Sequence, residues 1–223
     1  MKIVLDIGGS IVASPAPNVP YIKGLAELLI ELRREGHRVM VVVGGGRLAR
    51  DYVAAARELE ASEDYCDEVG IGATRMNAML LIAALGEHAM KALRKNTLGA
   101  AKAKKILVMG GTKPRQTTDA VSAQLAWRTH ADLLVVATNV DGVYDSDPRV
   151  DPKAKKLPRV TPQQLVKLVS TKEYRAGSTA VVDPVAARII ERNRIKTIVL
   201  DGRRLENIRA AVSGGEHGGT VVG

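Results

Sequence analysis

Along the chain, short unbroken apolar runs alternate with stretches in which apolar residues return every three or four positions. The runs at Lys2–Ile7, His37–Val43, Ile106–Met109, Leu133–Thr138, Lys196–Leu200 and Thr220–Val222 read as strands. Their continuous apolar character fits a parallel sheet covered on both faces. Between them, Ile22, Leu25, Leu29 and Leu32 stand at helical spacing within Tyr21–Glu35, and Gly36 supplies the stop. Further helices are predicted from about Arg47, within Ser62–Leu85, and from Thr117-Thr118-Asp119 through Trp127. Thr161-Pro162 and Asp183-Pro184 each set an N-cap before a proline at the first helical position, the second opening a helix over Val185–Arg194. Leu205, Ile208 and Val212 mark a last short helix, and Glu87–Lys105 fits helix and connection without a sharper pattern. This alternation predicts an α/β protein, a three-layer α/β/α sandwich with a largely parallel central sheet.

Composition narrows the class. A chain of 223 residues can bury a sizeable core, so a single domain over 1–223 is expected. Phe is absent, and Val, Ile, Leu and Ala must build that core. The single Cys66 excludes an intramolecular disulfide and fits a reducing compartment; with no His or Asn placed to activate it, it reads as packing. No apolar run reaches the roughly 18 residues of a membrane-spanning helix and nothing resembles a signal peptide, so a cytoplasmic protein without a membrane partner is expected. His37, His88, His130 and His217 lack metal-ligand spacing.

A formal net charge of +9 raises the question of nucleic acid. The basic residues are dispersed, however, with only short clusters at Lys102–Lys105 and Lys153–Lys156, and no stacking aromatics accompany them. A surface that attracts anionic nucleotides accounts for the charge better than a nucleic-acid face.

The candidate chemistry begins where strands end in glycine. Lys2–Ile7 runs into Gly8-Gly9-Ser10, His37–Val43 into Gly44-Gly45-Gly46, and Ile106–Met109 into Gly110-Gly111-Thr112. Without side chains, backbone N–H groups approach an anion closely, and a helix start adds N–H groups that point outward. The first turn is not a Walker A loop, because no Gly-Lys-Ser/Thr follows, and a plain tight turn remains open. Arg50, one turn past the triple glycine, has the reach to meet a phosphate, although from the residues alone a surface arginine is the plainer reading. Asp67 either accepts hydrogen bonds from a vicinal diol or serves as a first-turn carboxylate favoured by the helix dipole. Thr117-Thr118-Asp119 is equally an N-cap pattern. Trp127 reads as core, and Met79, Leu80, Ile82, Ala83 and Leu85 as core or subunit contact. Leu133–Thr138 discharges into Asn139, Asp141-Gly142, Tyr144, Asp145 and Asp147 before Pro148: a ligand crevice at a strand's carboxyl end, or a hairpin turning on Asp141-Gly142.

The stretch TNVDGVYDSDP at Thr138–Pro148 resembles the adenine-nucleotide loop of the amino acid kinase superfamily, and within it the archaeal type of uridylate kinase. DIGGS at Asp6–Ser10, VVVGGGRLARDY at Val41–Tyr52, GIGATRMNAMLL at Gly70–Leu81, VMGGTKPRQTTDA at Val108–Ala120 and DPVAARIIER at Asp183–Arg192 match in the same order, covering nearly the whole chain. The resemblance implies ATP as donor, Mg²⁺ on its phosphates, UMP as acceptor, and a place in pyrimidine nucleotide biosynthesis. It implies an acceptor lobe to about residue 117, an ATP lobe from about Thr118, and a homohexamer built from dimers. Carried over position by position, Asp119 organises the reaction, with Arg50, Gly9 and Ser10 in the catalytic set. Gly45, Asp67, Thr74, Thr112, Gln116, Thr117 and Thr118 face the acceptor; Gly8, Gly9, Ser10, Gly46, Arg50, Thr138, Asn139, Tyr144 and Asp147 hold ATP.

Two departures from the family pattern matter. Many members carry a lysine where Asp6 stands, and DIGGS resembles an archaeal variant lacking it, so Arg50, Lys113 or Lys153–Lys156 must supply the cation. KPRQ at Lys113–Gln116 replaces a glycine- and histidine-containing run, which leaves the acceptor less defined. Isopentenyl phosphate kinase is the nearest competitor, but it has a histidine-containing loop where this chain has GGGRLARDY. A non-catalytic ATP-binding storage assembly is the other.

Overall fold

Valine, isoleucine and leucine fill the strands, where β-branched side chains pack well on a pleated surface. In the computed structural model, residues 1–90, 96–97, 100, 103–148, 150–170 and 181–223 are described. Much of the predicted Glu87–Lys105 connection, and Lys102 of the basic cluster, lie outside them. The strands are β1 (Lys2–Ile7), β2 (Arg38–Val43), β3 (Leu107–Met109), β4 (Leu133–Thr138), β5 (Val143–Tyr144), β6 (Lys156–Leu157), β7 (Arg159–Val160), β8 (Thr197–Asp201) and β9 (Thr220–Val222). The helices are α1 (Gly9–Val12), α2 (Val19–Arg34), α3 (Gly46–Glu58), α4 (Glu63–Leu85), α5 (Thr118–Thr129), α6 (Pro162–Ser170), α7 (Pro184–Asn193) and α8 (Leu205–Ser213).

Seven strands form one sheet in the order β3-β2-β1-β4-β8-β9-β7. The pairs from β3 to β8 are all parallel, whereas β9 runs antiparallel to β8 and β7 follows β9. Because β4 pairs in parallel with both β1 and β8, and β5 turns back on β6, the hairpin reading of Asp141-Gly142 is set aside.

Side chains alternate across β1. Ile3, Leu5 and Ile7 pack with residues of α2, α4 and α8 on one face, while Val4 joins Met40, Val42 and residues of α5, α6 and α7 on the other. Asp6 shares that second face and is only 3% exposed. Caps follow the expected chemistry: Ser62, Thr117 and Asp183 accept from the first turns of α4, α5 and α7, and Thr161 exchanges hydrogen bonds with Gln164 at α6.

Two expectations change. Trp127 is 47% exposed, because the inward face of α5 is already made by Val121, Ala123, Leu125 and Ala126; its ring lies under the Arg128 guanidinium instead. The stretch Glu63–His88 is long and apolar enough to cross a membrane, but Cys66, Ile71, Ala78, Leu81 and Leu85 of α4 are buried within the protein.

The topology also sets where a ligand goes. The chain leaves β1 toward β2 and β3 on one side and returns at β4 on the other. The carboxyl ends of β1 and β4 therefore form a switch point, where open α/β sheets bind ligands.

Candidate active site

A cavity of about 130 Å³ opens at that switch point, between Gly8 and Ser10 on one side and Thr138 and Asn139 on the other, with Asp6 and Asp119 in its wall. Whole small-molecule sites run to ~300–1,000 Å³. This one suits phosphates rather than an entire nucleotide.

Its rim is built by glycines. The Gly8 N–H donates to Ala137 O and the Gly44 N–H to Ile7 O, both at 2.9 Å, so these two groups extend the sheet bonding rather than face a ligand. Gly9 packs directly on Gly44 and Gly46, and a Cβ there would collide with their backbone. Gly46 has φ +63°, in the left-handed region. The starts of α1 and α3 are thus brought side by side. The segment after β1, for which the sequence left a plain tight turn open beside a phosphate loop, is a one-turn helix with Gly9 and Ser10 in its first positions.

Helix α4 fastens both glycine loops. Buried Asn77 donates through Nδ2 to Gly44 O at 2.9 Å and to Gly45 O at 3.2 Å. Arg75 donates to Gly111 O and Thr112 O, both at 3.1 Å. Thr74 was expected at the acceptor, but it is buried, donates to Ile71 O and accepts the Gly111 N–H. Its proton is spent within α4 and its oxygen on the Gly110-Gly111 loop, so it fastens that loop to the helix and has no proton left for a ligand.

An acidic corner closes the other side. Asp183 accepts from Val185 and Ala186 N–H as N-cap of α7, and also from the Thr117 hydroxyl. The Asp183 N–H in turn donates to Asp119 Oδ2 at 3.1 Å. Thr117 caps α5 and ties it to α7, which leaves its hydroxyl no proton for an acceptor phosphate. Burial, then the charge of Asp183, push the Asp119 carboxyl up to about 7 from its ordinary value. Ser122 and Asp183 were not singled out as site residues; the i+3 spacing of Ser122 from Asp119 is the one signal that pointed to the former.

The remaining candidates flank this centre. Arg50 is exposed on α3, and its neighbour Arg47 is paired with Asp51. Asp67 accepts the Arg115 N–H at 2.8 Å through Oδ2, and Arg115, at φ +61°, pairs with Asp64. One oxygen of Asp67 is thereby committed to the loop. Thr112 donates to Gln116 at 2.7 Å, and both line a polar cavity of about 270 Å³ with Lys113. Thr118 is the first residue of α5. Tyr144 donates to Asp141, and Lys156 joins Asp141 at 3.0 Å and Gly218 O at 2.8 Å. Asp147 accepts the N–H groups of Val150 and Asp151 through its carbonyl.

A doubly flanked parallel sheet with glycine turns meeting at its switch point defines a phosphate-handling α/β enzyme. The sequence matches the amino acid kinase family over residues 1–201, and the chain belongs to that family; it is a kinase. It is 50% identical to the uridylate kinase of Thermococcus gammatolerans over 225 residues, covering 100% of this chain and 99% of that protein. It is 48% identical to the uridylate kinase of Thermococcus kodakarensis over the same span. The crystal structure of uridylate kinase from Archaeoglobus fulgidus superposes with a TM-score of 0.89 at 46% identity, covering 100% of both chains.

Proposed function

We propose that this chain transfers the γ-phosphoryl group of ATP to UMP, giving ADP and UDP. The observation that carries the reading is the small cavity itself: it lies between the start of α5, which follows the acceptor-side loop, and the end of β4, which opens the donor-side loop. Full-length identity of about half to uridylate kinases supports UMP as the acceptor.

In the reaction a UMP phosphate oxygen attacks the γ-phosphorus, the new P–O bond forms, and the bond to the β–γ bridging oxygen breaks to release ADP. A phosphate dianion is already nucleophilic, so positioning and charge neutralisation are the tasks left to the protein. Mg²⁺ enters on the donor phosphates as part of the substrate. N–H groups of Gly9, Ser10 and Gly46 at the two helix starts cradle phosphates without side-chain repulsion. Asp119, fixed by the Asp183 N–H, orients the reacting groups rather than abstracting a proton. Thr138, Asn139, Tyr144 and Asp147 border the ATP base and ribose. Gly45, Asp67, Thr112, Gln116 and Thr118 border UMP; the acceptor lobe runs to about residue 117 and the ATP lobe from about Thr118, with Thr118 at their boundary and the first lobe's glycine turns reaching the donor phosphates.

The reaction belongs to pyrimidine nucleotide synthesis in the cytoplasm. A homohexamer is part of the reading, with Met76, Met79 and Leu80 of α4 exposed as contact surface. Light scattering at micromolar concentration is expected to give a hexamer's mass; a monomer would remove the assembly and leave the fold untouched.

The acceptor assignment predicts that Asp67→Ala weakens UMP binding by roughly 1.5–3 kcal/mol, the worth of a hydrogen bond to a charged group, while ATP binding holds. Calorimetric titration of each nucleotide measures this. Equal losses for both would mean that Asp67 only holds Arg115.

A further inference from the structure

Ser122 Oγ lies 2.6 Å from Asp6 Oδ2 and 2.7 Å from the carbonyl oxygen of Asp119. A serine hydroxyl carries one proton, and a backbone carbonyl can only accept. Were Asp6 ionised, two acceptors would compete for that proton and one of these short contacts would be unbonded. A proton on Asp6 satisfies both: Asp6 Oδ2–H donates to Ser122 Oγ, and Ser122 Oγ–H donates to Asp119 O.

We propose that Asp6 works as a neutral carboxylic acid, a positioning residue that holds the first turn of α5, and with it Asp119, against β1 through Ser122. Asp6 lies two residues before Gly8, so the same relay sets Asp119 relative to the glycine turn. The inference rests on the phosphoryl-transfer reading of this cavity.

The surroundings agree with a neutral group. Asp6 is 3% exposed, and its sheet partners Val42 and Val136 carry no charge. Among the described residues, the charged groups that face it are Asp119 from α5 and Asp183 from the start of α7, both acidic. Among the described residues no lysine or arginine borders the cavity. Burial raises the Asp6 carboxyl well above its ordinary range, followed by the charge of Asp119, with Asp183 adding to the rise; a hydrogen bond donated by Ser122 to the ionised form would oppose it. A neutral carboxyl also removes one negative charge from a wall that phosphates must approach, which an ionised aspartate in place of the family lysine would not do.

The direct test is carbon-13 NMR of the full chain with labelled aspartate carboxyls, Asp6 being assigned by the resonance lost in Asp6→Asn. At about pH 7, some three units above an ordinary aspartate near ~3.9, the resonance is expected at the position of a protonated acid. A carboxylate shift at that pH overturns the proposal. Kinetics supply the second readout: Asp6→Leu should lower kcat at least about tenfold, and Asp6→Asn, neutral and isosteric, should restore it to within about threefold. The alkaline fall in kcat that follows Asp6 ionisation should be missing in Asp6→Asn. An Asp6→Asn enzyme as inactive as Asp6→Leu would mean that Asp6 acts as an anion.

Stability gives a third. The folded-state pKa is raised, so the contribution of Asp6 is complete below about 3.9 and is lost as pH climbs through the folded value. The melting temperature of wild type relative to Asp6→Asn should therefore fall as pH rises; a constant difference overturns the inference. The resonance reads the proton without any turnover. Wild type that keeps the protonated signal yet transfers no phosphoryl group would instead sink the transfer reading, and the positioning role with it.

Discussion

Gly9→Ala is expected to abolish phosphoryl transfer while leaving a folded protein of reduced stability. The added methyl would be driven into the backbone of Gly44 and Gly46, atoms that cannot swing aside as a flexible side chain would. Both loops are pinned, Gly8 to Ala137 and Gly44 to Ile7 within the sheet, and Gly44 again by Asn77. The starts of α1 and α3 must therefore move apart. Overpacking of this kind costs about 1–3 kcal/mol in stability. Displacing reacting groups by an ångström costs roughly a hundredfold in rate, so kcat should fall by at least that much. Gly72→Ala is the control: Gly72 lies within α4 with open space around its missing Cβ, and alanine there should stabilise by about 0.5–1 kcal/mol with activity intact. Equal activity in the two variants would show that the contact between the glycine loops does not matter for catalysis.

Arg50→Ala should lower the turnover number by roughly a hundred- to a thousandfold, equivalent to about 2.7–4 kcal/mol of transition-state stabilisation. Asp6 stands on β1 where many members of the family carry a lysine, so charge developing on the transferring group needs a cation from elsewhere. Among the alternatives, Lys156 is tied to Asp141 and Gly218, so it supports the donor loop instead. Lys113 borders the cavity beside Thr112 and Gln116, which the proposal gives to the acceptor. Arg50 is exposed one turn into α3, whose first residue, Gly46, packs on Gly9. Because the interaction strengthens as charge develops, the loss should fall on kcat rather than only on the Michaelis constant for ATP. Near-normal turnover in Arg50→Ala, with loss in Lys113→Ala, would move the catalytic cation into the Lys113–Gln116 loop.

The sheet was legible because each buried parallel strand is a continuous apolar run; Lys2–Ile7 and Leu133–Thr138 were bounded to the residue. Turns were legible where a glycine or proline left a mark, as at Gly36 and Asp183-Pro184. The glycine loops could be named as phosphate-binding candidates, but nothing local says that Gly9 touches Gly46, 37 positions away. Asn77 carries the same limitation. It lies in the GIGATRMNAMLL block, and its two carbonyl partners belong to a loop more than thirty residues earlier. Thr74 and Thr117 were drawn to the ligand by residue type, yet a threonine hydroxyl has one proton, and local backbone or Asp183 takes it first. Trp127 failed for a simpler reason: aromatic character does not say which side of a helix faces in.

The most direct test is ATP-dependent phosphorylation of UMP, CMP, AMP and isopentenyl phosphate, each followed as ADP release with the product identified. UMP is expected to have the highest kcat/KM, giving UDP and ADP in equal amounts. Isopentenyl phosphate as the preferred acceptor, or ATP bound tightly with no turnover of UMP, would contradict it.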